Sequence, residues 1–269
     1  MSSQTSTTKK LSVPQFMKMK EKGQKITMLT AYDYPMASIL DRSGVDAILV
    51  GDSMSMVVQG HENTLPVTLD EMIYHAEMVG RAVNRALVIV DMPFPSFHLG
   101  VHKAIENAGR ILKETRAQAV KLEGGADQAE VISGLVSAGI PVMAHVGLRP
   151  QNIHQLGGYR VRRDEEGLLA DAQAAEAAGS FSVLLECINS ASAKTITNSL
   201  SIPTIGIGAG VDCDGQVLVT NDLLGLTEGR LPKHVKPYAD LQTVIKSAVE
   251  SYCTDVKECA FPGKEQSFD

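Results

Sequence analysis

Short apolar runs recur along this chain, each closing on polar or charged side chains, with stretches of helical periodicity between most of them. The runs are "ITMLTAYD" (26–33), "AILVGDS" (47–53), "LVIVDMP" (87–93), "AVKLEGG" (119–125), "PVMAHVGL" (141–148), "SVLLEC" (182–187), "PTIGIGAG" (203–210) and "VLVTNDLL" (217–224). Consecutive apolar residues in such short runs predict parallel strands covered on both faces. Between them, "TLDEMIYHAEMVGRAV" opens with Thr68 and carries Glu71 three residues on, a capping-box start. "VHKAIENAGRILKETR", "ADQAEVISGLVSAG", "EEGLLADAQAAEAAG" and "SASAKTITNSL" space their apolar residues for one helical face, and several end in the glycine that helix C-termini prefer. The gap between the seventh and eighth runs is too short for a full helix, so that unit is degraded. A long helical pattern, "YADLQTVIKSAVESYCTDVKECA", follows the eighth, and "SVPQFMKMKEKG" ahead of the first predicts a short helix plugging a barrel floor. Strand and helix alternating eight times predict an α/β fold, the (β/α)8 TIM barrel, with a doubly wound open sheet as its main competitor.

Composition narrows this reading. The chain has 269 residues, 44% apolar and 21% charged, as a globular protein does. No linker or shift of composition divides it, so the barrel is expected as one domain over residues 13–269. Residues 1–12 are rich in Ser and Thr, with Lys9 and Lys10 but no Arg and no apolar stretch, which predicts a disordered tail, with a transit peptide as the other reading. No apolar run approaches the roughly 20 residues of a membrane span. A net charge of −6 without a basic stripe argues against nucleic acid as a partner. Cys187, Cys213, Cys253 and Cys259 have neither paired zinc spacing nor disulfide density, so they read as reduced thiols of a cytoplasmic protein.

In a barrel, active-site residues sit at the C-terminal ends of the strands. Read in order, those ends carry Asp33, Asp52 with Ser53, Asp91, Lys121 with Glu123, His145, Glu186 and the glycines of "GIGAG" (206–210). Asp33, followed by "YPMAS", reads as a helix N-cap and is set aside. Four acids, Asp52, Asp91, Glu123 and Glu186, converging without compensation would repel one another and be costly to desolvate. A hard divalent cation, Lys121, or both would relieve that, and oxygen donors with retained waters suit Mg2+ better than Zn2+. Lys121 and Glu123, two apart on a strand, face the same side. They form either a structural ion pair or a site in which Lys121 meets a substrate carboxylate or an enolate oxygen. His145 is either a hydrogen-bonded core histidine or, within this ring, a substrate contact. The loop "VQGHENTLPVT" (58–68), with His61, Glu62 and Asn63, is read as solvated, with a lid as the other reading.

The motifs "TAYDY", "VGDSMSMVVQGHENTLPVT", "VKLEGG", "GLRPQ", "GGYRV", "LLEC", "IPTIGIGAG", "DGQVLV" and "FPGKEQSF" resemble, in order and spacing, those of the ketopantoate hydroxymethyltransferase family. The resemblance runs from about residue 10 to the C-terminus. It implies a (β/α)8 barrel that transfers a hydroxymethyl group from 5,10-methylenetetrahydrofolate to 3-methyl-2-oxobutanoate, giving 2-dehydropantoate through a Mg2+-stabilised enolate in pantothenate biosynthesis. It further implies that Asp52 and Asp91 ligate Mg2+, that Glu123 holds it directly or through water, that Ser53 and Lys121 bind the 2-oxo acid carboxylate, and that Glu186 is the base. A homo-oligomer, a decamer in the family's usual form, is implied as well. The chain departs from the family's common pattern at Ala144, Arg149 and Gln266. Two alternatives remain at this stage: an enzyme of the phosphoenolpyruvate mutase and isocitrate lyase type acting on another 2-oxo acid, and a non-catalytic metabolite-binding barrel. The first shares "VGDS" and the second strand-end Asp, but its cysteine-bearing catalytic loop has no counterpart here.

Overall fold

Eight parallel strands close in sequence order into a barrel, with β1 paired to both β2 and β8. They are β1 (Ile26–Thr30), β2 (Ala47–Val50), β3 (Leu87–Asp91), β4 (Ala119–Glu123), β5 (Val142–Gly147), β6 (Ser182–Glu186), β7 (Thr204–Ile207) and β8 (Gly215–Leu218). The structure, a computed structural model, describes residues 10–158 and 162–268. Of the tail expected at 1–12, residues 1–9 lie outside the described residues. Leu11 N donates to Arg85 O at 2.7 Å, and the chain then enters a helix.

The chain divides into two compact units, Met1–Val219 and Thr220–Asp269. The first contains the barrel and its helices α1 (Val13–Glu21), α2 (Tyr34–Arg42), α3 (Met54–Val57), α4 (Leu69–Ala82), α5 (Val101–Glu114), α6 (Ala129–Ser137), α7 (Ile153–Leu156), α8 (Glu165–Ala177) and α9 (Ser190–Ser199). The second contains α10 (Thr220–Leu223) and the long α11 (Leu241–Lys257).

Period-two alternation sorts each strand's residues between two cores. Ala47, Leu49, Leu87, Ile89, Ala119, Met143, Leu184, Ile205 and Val217 fill the barrel interior. Ile48, Val50, Val88, Val90, Val120, Leu122, Val183 and Leu185 face the helices. The floor is closed by α1, whose fully buried Phe16 meets Phe181 edge-on with ring centroids 5.7 Å apart. The capping box of α4 forms as its sequence predicts: Glu71 N donates to Thr68 Oγ1 at 3.2 Å and Thr68 N to Glu71 Oε2 at 2.7 Å. Asp33 caps α2, accepting from Met36 N at 2.8 Å.

The strands are shorter than the apolar runs, and β3, β4, β5 and β6 carry Asp91, Lys121 with Glu123, His145 and Glu186 within them. The eighth is also displaced: it covers 215–218, and the part of the run beyond it, 220–223, is helical. Gly215 and Gln216, ahead of the apolar run, pair with β7, while Leu223 ends the helical turn that follows. Between β7 and β8 no helix intervenes, as the short gap predicts.

Candidate active site

Parity carries the chemistry to the barrel mouth. Asp91 continues the interior-facing set Leu87 and Ile89, Lys121 and Glu123 continue Ala119, His145 continues Met143, and Glu186 continues Leu184. Asp52 and Ser53 follow β2 in the turn leading to α3. Asp52, Asp91, Lys121, Glu123 and His145 are all at least nine-tenths buried, while Glu186 keeps 18% of its side chain exposed. Two glycines permit the close approach. A Cβ on Gly147, which has φ +108°, would strike the Glu186 carbonyl, and one on Gly125 would strike Asp171. Immediately after Glu186 the chain turns through Cys187 at φ +49°, a left-handed conformation uncommon outside glycine.

The acids form a connected group. Asp52 N donates to Asp91 Oδ2 at 3.0 Å. Gln151, from the turn after β5, donates Nε2 to Asp52 Oδ2 at 2.8 Å and its main-chain N–H to Glu123 Oε2 at 3.1 Å. Burial and the charge of Asp91 push the Asp52 carboxyl up to about 7, and burial together with Asp52 holds Glu123 well above the ordinary carboxylate range. Burial alone would lower Lys121, but Asp91, Asp52 and Glu123 outweigh it and push the amine up to about 12.

Lys121 therefore stays charged, with Nζ 3.1 Å from Asp91 Oδ1 and 3.1 Å from His145 Nδ1. An ammonium only donates, so His145 Nδ1 accepts and its proton resides on Nε2. That Nε2 lies 3.3 Å from Glu186 Oε2. Burial, reinforced by Lys121, keeps the His145 pKa well below its ordinary value, so the ring is neutral. The result is a line from Lys121 through neutral His145 to the Glu186 carboxylate. On the other side of the mouth, Tyr32 OH lies 2.9 Å from Ser53 Oγ.

Among the described residues, no three His, Cys, Asp or Glu side chains form a ready-made cation cage. Mg2+ does not require one: it is commonly held by one or two carboxylates, with waters and substrate oxygens completing its shell. The donors fit on two further counts. Four acids, Asp52, Asp91, Glu123 and Glu186, face Lys121, the one buried lysine or arginine among the described residues. Asp91 Oδ1 is buried and receives no hydrogen bond of good geometry, despite lying near Lys121. Asp52, Asp91 and Glu123 are the oxygen donors of this mouth that could hold such an ion.

Every site residue expected from the sequence therefore reaches this mouth. Gln151 and Tyr32 do so without having been singled out. Both lie inside quoted motifs, and their only sequence signal is a place just beyond a strand. The loop carrying His61 is fastened by His61 N to Ser55 O at 2.9 Å and Ser55 Oγ to Asn63 O at 2.8 Å. Within "GIGAG", Gly208 and Gly210 adopt positive φ.

A family model for ketopantoate hydroxymethyltransferase matches residues 10–264. The chain is 59% identical over 252 residues to the 3-methyl-2-oxobutanoate hydroxymethyltransferase of Rhodopirellula baltica, covering 94% of each chain. It is 55% identical over 251 residues to the enzyme of the same name from Desulforapulum autotrophicum, covering 93% of this chain and 95% of that one. Among solved structures, a phosphonopyruvate hydrolase complexed with oxalate and Mg2+ superposes with a TM-score of 0.62 at 11% identity, over 95% of this chain and 93% of that one. At that identity the likeness concerns the fold alone.

Proposed function

This chain belongs to the ketopantoate hydroxymethyltransferase family, and from that premise we propose how its barrel mouth works. The protein is a hydroxymethyltransferase of pantothenate biosynthesis that converts 3-methyl-2-oxobutanoate to 2-dehydropantoate. The observation that carries the mechanism is Glu186, partly exposed and 3.3 Å from His145 Nε2, beside the buried group of Asp52, Asp91 and Lys121. The carboxylate of the 2-oxo acid is bound by Ser53 Oγ and the Lys121 ammonium, with His145 within reach of the same ligand. Asp52 and Asp91 hold Mg2+, with Glu123 directly or through water. The chemistry that ion supplies when bound is Lewis acidity at the keto oxygen, which acidifies the C3–H.

Glu186 takes the C3 proton onto a carboxylate oxygen. His145 Nε2–H lies 3.3 Å from that carboxylate and faces it from the barrel interior. The C3 carbanion equivalent forms a carbon–carbon bond with the methylene carbon of 5,10-methylenetetrahydrofolate. Both carbon–nitrogen bonds between that methylene carbon and the folate break, water supplies the hydroxyl oxygen, and the proton held by Glu186 and the second proton of the water pass to the two folate nitrogens. Lys121, preorganised by Asp91, offsets the charge that builds on the substrate.

A homo-oligomer, in the family's usual form a decamer, is proposed for the whole protein. Val244, Ile245, Val249, Tyr252 and Val256 make an exposed apolar face on α11, none of whose residues is buried. Cys213, Cys253 and Cys259 form no disulfide, which supports a reducing, cytoplasmic setting. No helix among the described residues is long and apolar enough to cross a membrane.

The test is a transfer assay with 3-methyl-2-oxobutanoate, Mg2+ and 5,10-methylenetetrahydrofolate. Formation of 2-dehydropantoate that stops on chelation with EDTA supports the reading. Turnover unaffected by EDTA would remove the metal from it, and turnover only with another one-carbon donor would remove the folate.

A further inference from the structure

Gln151 sits in a 3-10 turn, Pro150–Asn152, directly after β5 and is 6% exposed. Its main-chain N–H goes to Glu123 Oε2 at 3.1 Å, and Nε2 goes to Asp52 Oδ2 at 2.8 Å and Met92 O at 3.1 Å. A backbone carbonyl can only accept, so the Met92 contact fixes which end of the amide is the nitrogen. One residue rooted after β5 thus reaches the ends of β2, β3 and β4.

A second group of side chains fastens this turn. Arg149, two residues earlier, forks onto Asp127 with Nη1–Oδ2 at 2.6 Å and Nη2–Oδ1 at 3.0 Å. Asp127 Oδ1 also accepts from Gly125 N at 3.0 Å. The Arg149 guanidinium lies 3.7 Å from Asp171 of α8, which accepts from Ala126 N at 3.1 Å. The fork ties the turn after β5 to the turn after β4 and to α8. Arg149 keeps only 12% of its side chain exposed, and bidentate guanidinium–carboxylate pairs fix geometry as well as charge.

We infer that Gln151 is a positioning residue for the cation site, holding the Asp52 and Glu123 carboxylates in the orientation that receives Mg2+, and that the Arg149–Asp127 fork sets Gln151 in place. This inference rests on the Mg2+ reading proposed above. A buried carboxylate without a donor is free to turn toward whichever neighbour satisfies it, and Gln151 supplies one donor to each of the two. Hydrogen-bond partners behind metal ligands typically change metal affinity about 10–100-fold.

The test is calorimetric titration of the full-length protein with Mg2+, alongside kcat and the KM for Mg2+. Gln151→Met keeps the length of the side chain and removes the amide. Its Mg2+ Kd is expected to rise about 10-fold or more, with the KM for Mg2+ rising in parallel and kcat at saturating Mg2+ retained. Arg149→Met is expected to shift the Kd in the same direction and by less. The double variant should bind no more weakly than Gln151→Met alone, because the fork acts through Gln151. A purely structural role would lower Tm and leave Kd unmoved. Should Gln151→Met fail to fold, Gln151→Asn carries the same test, since it keeps the amide but falls one methylene short of Asp52. Wild-type affinity in the folded Gln151 variant would overturn the inference, and additive losses in the double variant would overturn the role of the fork. A wild-type protein that binds no Mg2+ would overturn the metal reading itself, and this inference with it, so the two failures are read separately.

Discussion

At the scale of single residues, the proposed mechanism divides two tasks between acids of the same kind. Glu186 is the least buried of the four acids and faces a neutral histidine, whereas Asp52 is buried against Asp91. Glu186→Gln is therefore expected to keep binding of Mg2+ and the 2-oxo acid while slowing C3–H exchange by about 100-fold or more. Retained exchange would remove Glu186 from the base role. Asp52→Ala is expected to weaken Mg2+ binding, and an unchanged metal titration would count against it as a ligand. The raised Asp52 pKa adds a pH dependence. Between about pH 4 and about 7, the folded metal-free protein holds a proton on Asp52 that the unfolded chain has released. Stability without metal therefore falls as pH rises through that window. Mg2+ competes for the same carboxylate, so the gain in Tm from saturating Mg2+ should be larger at pH 8 than at pH 6. Equal gains at both would contradict the assignment. The acids, Lys121 and His145 were legible because each ends an apolar run with the parity of the barrel interior. Gln151 was not, because its partner Asp52 lies 99 positions away and the contact is made by a turn with no period to read.

At the scale of elements, the strands and most helices follow from apolar period and from caps that the sequence states openly, such as Thr68 with Glu71 and Asp33 ahead of α2. The eighth strand was misplaced because an apolar run spanning a strand, a turn and a helical turn has no internal marker of where one stops. The floor helix α1 was legible as a short amphipathic segment, and Phe16 shows why it is needed: the lower end of the barrel interior is closed by that ring against Phe181. Phe16→Ala removes a fully buried ring and is expected to cost about 3–5 kcal/mol of stability in a denaturant melt. A loss under about 1 kcal/mol would mean that α1 does not close the interior.

At the scale of the whole molecule, the barrel's value to the chemistry is that it brings five strand ends and one turn into a single, largely buried mouth, where one ammonium faces four carboxylic acids. Such an excess of acid is costly to desolvate unless a proton or a cation relieves it. In the proposed mechanism this mouth removes the C3 proton of 3-methyl-2-oxobutanoate with Mg2+ in place, before any one-carbon donor is needed. Proton NMR of that 2-oxo acid in deuterated water, with the protein and Mg2+ and then with EDTA, tests it directly. The C3–H signal is expected to disappear without folate and to be retained once EDTA is added. A C3–H signal that persists with Mg2+ bound to the wild-type protein would contradict it.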